Sequence, residues 1–232
     1  MLTAADKKEN NSIVEASRSG GIPHLLAKHA WSPKGFLGTL FGFAMKGMNK
    51  APYRWIFDEM RGAPSGNVLE IGFGVGYGLN QLAKKNTGLT FFGLEHSAAM
   101  LHAAEKRNRI FISDQRMKLV LGSANGIPFP SNDMSHVFFV HVTYFWKNPE
   151  EEFREIYRVL KSGGKLLFFI GKQSEMSKVK MTQTGIYTIH SNQFLAQVLS
   201  ATGFVNVKLT EQAIKSGPVK NGVCITAEKP SN

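Results

Sequence analysis

The stretch VLEIGFGVGYG, Val68–Gly78, restricts this chain more than any other. An apolar run carrying one carboxylate, Glu70, leads into Gly72, Gly74, Gly76 and Gly78, with glycine at every second position. Glycine loses more backbone freedom on folding than any other residue. A cluster this dense therefore implies backbone at positive φ, or a molecule lying directly against the main chain.

The surroundings say where such a turn sits. After residue 65, short apolar runs alternate with helical patterns. Strands are expected at Asn67–Ile71, Thr90–Leu94, Lys118–Leu121, Val137–Val140, Lys165–Ile170, Phe204–Leu209 and Val223–Ala227. Helices are expected near Tyr77–Lys85, Ser97–Phe111, Pro149–Leu160 and Asn192–Ala201. The third helix carries Asn148 as N-cap, Pro149 in the first turn, and Gly163-Gly164 beyond its end. Strand–helix alternation argues for a parallel sheet with helices on both faces. The last two strands have no helix between them and should pair as an antiparallel hairpin at one edge. In such a sheet ligands bind beyond the carboxyl ends of the strands, where the glycine turn lies. A helix start there offers free N–H groups and a positive dipole end to an anion.

Two nucleotide templates fail. A dinucleotide site needs G-x-G-x-x-G, but the third glycine falls on Tyr77 counting from Gly72 and on Leu79 counting from Gly74. A P-loop needs a closing Gly-Lys-Ser/Thr, which is absent. The pattern present, acid-x-Gly-x-Gly-x-Gly from Glu70 to Gly76, resembles the first motif of the class I S-adenosylmethionine-dependent methyltransferases. Three further stretches follow in that family's order: FFGLEHS with Glu95, LGSANGIPFPSNDMSHVFFV, and FREIYRVLKSGGKLLFF. The resemblance covers roughly Asn67–Ile170 and extends through GFVNVKL to about Ala227.

The resemblance implies an α/β, Rossmann-like, doubly wound seven-stranded sheet, mostly parallel, of order 3-2-1-4-5-7-6 with strand 7 antiparallel. It implies S-adenosyl-L-methionine as cofactor and S-adenosyl-L-homocysteine as product. Glu70, Gly72, Gly74 and Gly76 would cradle that cofactor, and Glu95 would accept both hydroxyls of its ribose, with His96 beside it. Ser123, Ala124 and Asn125 fall at the adenine turn, and His141 at the end of the fourth strand. Two positions depart from the family pattern. Ser123 stands where many relatives have an adenine-binding Asp, and a hydroxyl is a weaker acceptor than a carboxylate. His136 replaces the Asp usual at entry to the fourth strand.

The chemistry then needs an aligned acceptor and a dry site. The fourth strand ends in HVTYFW, which offers His141 and Tyr144 as catalytic groups and Tyr144 and Trp146 as an aromatic substrate wall. His141 has a rival role as a simple lining residue, and Phe145 one in the core. The Asn/Asp-Pro-Pro-Tyr/Phe motif of amino-directed nucleic-acid methylation is absent after that strand. No acid cluster sits there, so no metal is expected. Cys224 and His190 read as structural and loop residues. The expected substrate is a small, largely apolar or aromatic metabolite.

Residues 1–65 read as a helical extension, and 66–232 as the methyltransferase domain. The extension holds expected helices at Phe36–Met48 and Pro52–Met60, with Trp31 and Phe41 as substrate contacts. FLGTLFGFAMKGMN is apolar nearly all round and rich in glycine, which suits a lid, a helix packed on the sheet, or a membrane-docking element. The longest apolar stretch is too short to span a bilayer, the N-terminus lacks the apolar core of a secretion signal, and a single cysteine fits a reducing compartment. A cytoplasmic protein is expected. The net charge of +11 includes six basic residues and no acid between Arg18 and Arg54. It fits a solvated basic surface or attraction to an acidic small molecule, anionic lipid or nucleic acid. The oligomeric state stays open.

If backbone groups at Ala124 and Asn125 carry adenine recognition, Ser123→Asp keeps or improves affinity for S-adenosylhomocysteine in titration calorimetry. A large loss would show that this turn is misaligned with the family.

Overall fold

The computed structural model describes residues 49–61, 65–214 and 219–231. The expected Phe36–Met48 helix, Trp31 and Phe41 lie outside these residues. Helix α1, Lys50–Glu59, answers to the expected Pro52–Met60. Then follow β1 (Gly66–Ile71), α2 (Tyr77–Lys85), β2 (Leu89–Glu95), α3 (Ala98–Ser113), β3 (Met117–Leu121) and β4 (Met134–Val140). The second half comprises α4 (Pro149–Val159), β5 (Leu160–Gly171), α5 (Asn192–Thr202), β6 (Val205–Ala213) and β7 (Asn221–Glu228). The sheet order is β3-β2-β1-β4-β5-β7-β6. All pairings from β3 to β5 are parallel, and β7 runs antiparallel to both β5 and β6. The fold is the Rossmann-like one expected.

Burial explains why the central strands read as unbroken apolar runs. Val137, Phe138 and Phe139 of β4, with Leu166 and Phe168 of β5, have no exposed surface. A parallel strand covered on both faces has no polar side to display. Phe139 stacks on Phe168 at 4.7 Å, and each such ring contributes about 1.5–3 kcal/mol by leaving water. Helix α4 packs against α5, while α2 and α3 pack against each other and against β2.

Asn148 and Gly163-Gly164 stand where expected, at the N-cap and beyond the end of α4, but neither punctuates the helix by its own chemistry. Asn148 occupies the N-cap position of α4 but makes no side-chain capping bond. Pro149 and three successive glutamates, Glu150–Glu152, supply the helix start instead. Gly163-Gly164 does not terminate the helix either, because Leu160 is already extended and begins β5. Gly163, at φ +72°, donates to the Lys229 carbonyl at 3.0 Å, and Lys229 N–H returns to the Gly164 carbonyl at 2.9 Å. The glycines thus shape a strand entrance held by the C-terminal segment.

Side-chain clamps fix the loops that reach the strand tips. Arg158 of α4 pairs with Glu155 and donates to the carbonyls of Ile127 and Phe129, while Glu155 accepts the Ile127 N–H at 2.9 Å. Gly76, at φ +69°, is the N-cap of α2. A Cβ there would lie 2.6 Å from Asn108 Nδ2 and 2.8 Å from Ala104 Cβ, both on α3. The Asn108 amide donates to the carbonyls of Gly76 and Ala104 and accepts from Asn80.

Gly76→Ala therefore combines left-handed strain with overpacking, and should lower stability by about 3 kcal/mol, roughly 6–12 °C in melting temperature. Gly126→Ala, where a Cβ meets nothing within 4 Å, should leave the melt unchanged. Equal melts for the two variants would contradict this packing.

Candidate functional site

Four turns meet at the carboxyl ends of β1 to β4 and enclose a cavity of about 560 Å³, within the range of small-molecule sites. The glycines of the first turn divide the work. Gly72, Gly74 and Gly76 all adopt left-handed φ. At Gly72 a Cβ would strike Val142 at 2.7 Å, so this glycine lets two strand ends close together. At Gly74 a Cβ would meet nothing within 4 Å, because that face opens on the cavity. Gly76 serves the contact between helices. Gly78 makes room for Tyr53, whose ring would be 2.3 Å from a Cβ there.

Glu70 sits behind the turn. Its side chain has no exposure, and Oε1 accepts from the Tyr53 hydroxyl at 2.7 Å. Its Oε2 has no hydrogen-bond partner among the described residues. Burial pushes the carboxyl up to about 8, against the pull of hydrogen bonds from Tyr53 and the Leu79 backbone. Glu70 is therefore a buttress linking β1, α1 and the start of α2.

Glu95 closes the second strand inside the cavity wall. Oε2 accepts the Gly74 N–H at 2.9 Å and Oε1 the Ser97 N–H at 3.0 Å, with His96 Nδ1 at 3.1 Å from Oε1. His96, Ser123, Ala124 and Asn125 also line the cavity. The fourth turn brings His141 and Tyr144 together, Nδ1 to hydroxyl at 3.1 Å. The Tyr144 hydroxyl also accepts from Gly171 N–H, and its proton and second lone pair suit it to either neutral tautomer of His141. Burial lowers His141 to about 4 and raises Tyr144, so both are neutral near pH 7. His141 also adopts φ +58°, uncommon for a side-chain-bearing residue. Trp146 lines the cavity too, but its ring packs edge-on against Phe139 at 5.0 Å and Phe153 at 5.6 Å.

Several lining groups escaped the sequence reading. Beyond His141 the wall is formed by Met176, Val179, Met181, Tyr187, Ile214 and Val219, from the β5–α5 segment and the β6–β7 turn. Neither region carries a motif. Glu152 also lines the cavity, with a buried Oε2 that has no partner among the described residues. Its signal was helical phase: three residues past Pro149 and four before Ile156, it shares the stripe that faces inward.

The cradle suits an adenosyl cofactor. The open face of Gly74 admits a ligand to the main chain, and the Glu95 carboxylate has lone pairs beyond the two N–H bonds it accepts. Among the described residues no three metal-ligating side chains converge, and no helix is long and apolar enough to cross a membrane.

Comparison with known proteins agrees. A family model described as a methyltransferase domain matches residues 69–168. An uncharacterized methyltransferase of Bacillus subtilis (strain 168), YdaC, is 27% identical over 191 residues, spanning 82% of this chain and 98% of that protein. Phosphoethanolamine N-methyltransferase 2 of Caenorhabditis elegans is 31% identical over 150 residues, 62% of this chain but only 34% of the relative. The fold also matches Haemonchus contortus phosphoethanolamine N-methyltransferase 2, solved with phosphomonomethylethanolamine and S-adenosylhomocysteine. There the TM-score is 0.72 at 20% identity, over 91% of this chain and 61% of that one.

The buried Glu70 makes stability depend on pH with a definite sign. Its folded value of about 8 lies above the ordinary 4.5, so its contribution is full below about pH 4.5 and is lost as pH rises towards 8. The difference in unfolding free energy between wild type and Glu70→Gln, from urea denaturation, should fall steadily across that window. A constant difference would mean that Glu70 is not held neutral.

Proposed function

Since this chain is a class I S-adenosylmethionine-dependent methyltransferase, we propose that it methylates a small, largely apolar or aromatic metabolite, by in-line displacement and without a metal. The observation that carries this reading is the continuity of one cavity. It runs from the glycine turn and Glu95, past His141 and Tyr144, to the apolar wall around Met176, Met181 and Ile214. The relative from Caenorhabditis elegans, named for phosphoethanolamine, supports a small acceptor.

The cofactor, when bound, supplies a methyl group already activated on a sulfonium. We assign its ribose to Glu95, its main-chain approach to Gly72 and Gly74, and its adenine to the Ser123–Asn125 turn. The protein must then hold the acceptor atom in line and keep water out, which can contribute several kcal/mol of barrier reduction. Tyr144 and Trp146 wall the acceptor. An imidazole held near 4 is a weak base at neutral pH, so His141 orients the acceptor and does not take its proton.

Methyl-tritiated cofactor, incubated with the protein and either the filtrate or the retained macromolecules of a cell extract, tests the reading. Label should enter solvent-extractable small molecules; label in RNA, DNA or protein would overturn it. With an acceptor in hand, kcat should show no inflection between pH 6 and 7. An inflection there that His141→Asn removes would restore a base role.

A further inference from the structure

Resting on the methyltransferase reading, one feature of the cavity narrows the acceptor further. Glu152 Oε2 is buried and has no hydrogen-bond partner among the described residues, in a wall otherwise dominated by apolar side chains. A carboxylate in that position costs free energy until a donor reaches it, and a cation compensates it best. Asn49, at the start of α1, lines the same cavity and likewise carries a buried Oδ1 with no partner. Among the described residues, two unsatisfied side-chain acceptors and no unsatisfied buried side-chain donor thus face one chamber. Of the cavity carboxylates, Glu95 is already engaged by Gly74, Ser97 and His96. Glu152 is the one in reserve.

We infer that Glu152 is the specificity determinant of this site, pairing with a protonated amine on an otherwise apolar or aromatic acceptor. The ammonium supplies the donors that Glu152 Oε2 and Asn49 Oδ1 lack, and the body of the molecule lies against Met176, Tyr187 and Ile214. Burial, with Glu150 and Glu151 on the same helical turn, pushes Glu152 up to about 7, so the free site is poised between neutral and charged. The other titratable groups among the described residues lining the cavity are Lys147, exposed at its edge, with Glu95, His96 and His141 towards the cofactor end and Tyr53, Tyr77, Tyr144 and Tyr187 on the walls.

Benzylamine and its neutral isostere benzyl alcohol test this by calorimetry, on wild type and Glu152→Gln, with and without S-adenosylhomocysteine. Wild type at pH 8 should bind the amine about tenfold or more tightly than the alcohol. Glu152→Gln should abolish that preference while leaving S-adenosylhomocysteine affinity unchanged and the thermal melt at pH 8 unchanged or raised, since the unpaired carboxylate is gone. In wild type alone, the preference should fade as pH falls from 8 to 6, a readout that needs no substitution. Equal or undetectable binding of the two probes, or a preference that survives in Glu152→Gln, would overturn the inference. So would a loss of S-adenosylhomocysteine affinity in Glu152→Gln, which would give the carboxylate to the cofactor's amino group. Failure of wild type to bind S-adenosylhomocysteine would count against the cofactor site alone, since the amine preference is also read without it.

Discussion

The hydrogen bond from Gly74 N–H to the Glu95 carboxylate, 2.9 Å long, joins the tips of the first two strands, and the cleft is organised around it. It requires left-handed backbone at Gly74, and Gly72 and Gly76 on either side are left-handed as well. A side chain at Gly72 or Gly76 would strike Val142 or α3, whereas one at Gly74 would meet nothing within 4 Å. The open face is where a ligand meets the main chain. Fold and site are therefore one constraint: the geometry that lets β1 turn into α2 also exposes the turn.

Behind this turn the protein places a carboxylate that burial keeps protonated, and a tyrosine from α1 to hold it. The Tyr53–Glu70 bond reaches across 17 residues of chain and ties the N-terminal helix to the base of the cofactor turn. Tyr53 also lines the cavity. Helix α1 is thus part of the site wall, and the boundary between extension and catalytic domain expected at residue 65 is crossed by a buried hydrogen bond.

The ionisable groups around the cavity share one physical cause with different outcomes. Burial raises Glu70 and Glu152 and lowers His141, in each case favouring the neutral form. Glu70 has Tyr53 as a partner and is structural; His141 has Tyr144 as a partner. Glu152 has an oxygen with neither a partner among the described residues nor water-facing surface. That difference separates a group used by the fold from one left for a ligand.

Much of this was legible in one dimension. The apolar runs and helical phases placed the strands and helices along the chain and argued for a parallel sheet with an antiparallel edge hairpin, and the family resemblance implied the strand order. They also determined that Glu95, Ser123 and His141 stand at strand ends, since a residue's place along a strand follows from the run that contains it. Tertiary structure alone decided which glycine faces ligand and which faces protein, for every glycine in the turn looks alike until its neighbours are placed. It decided that Glu70 meets Tyr53 and not the cavity, and that of three consecutive glutamates only Glu152 lines the chamber. The apolar far wall of the cavity came from the β5–α5 segment and the β6–β7 turn, which have no motif, because apolar lining needs only shape and burial. Such contacts join residues distant in sequence, and only packing brings them together.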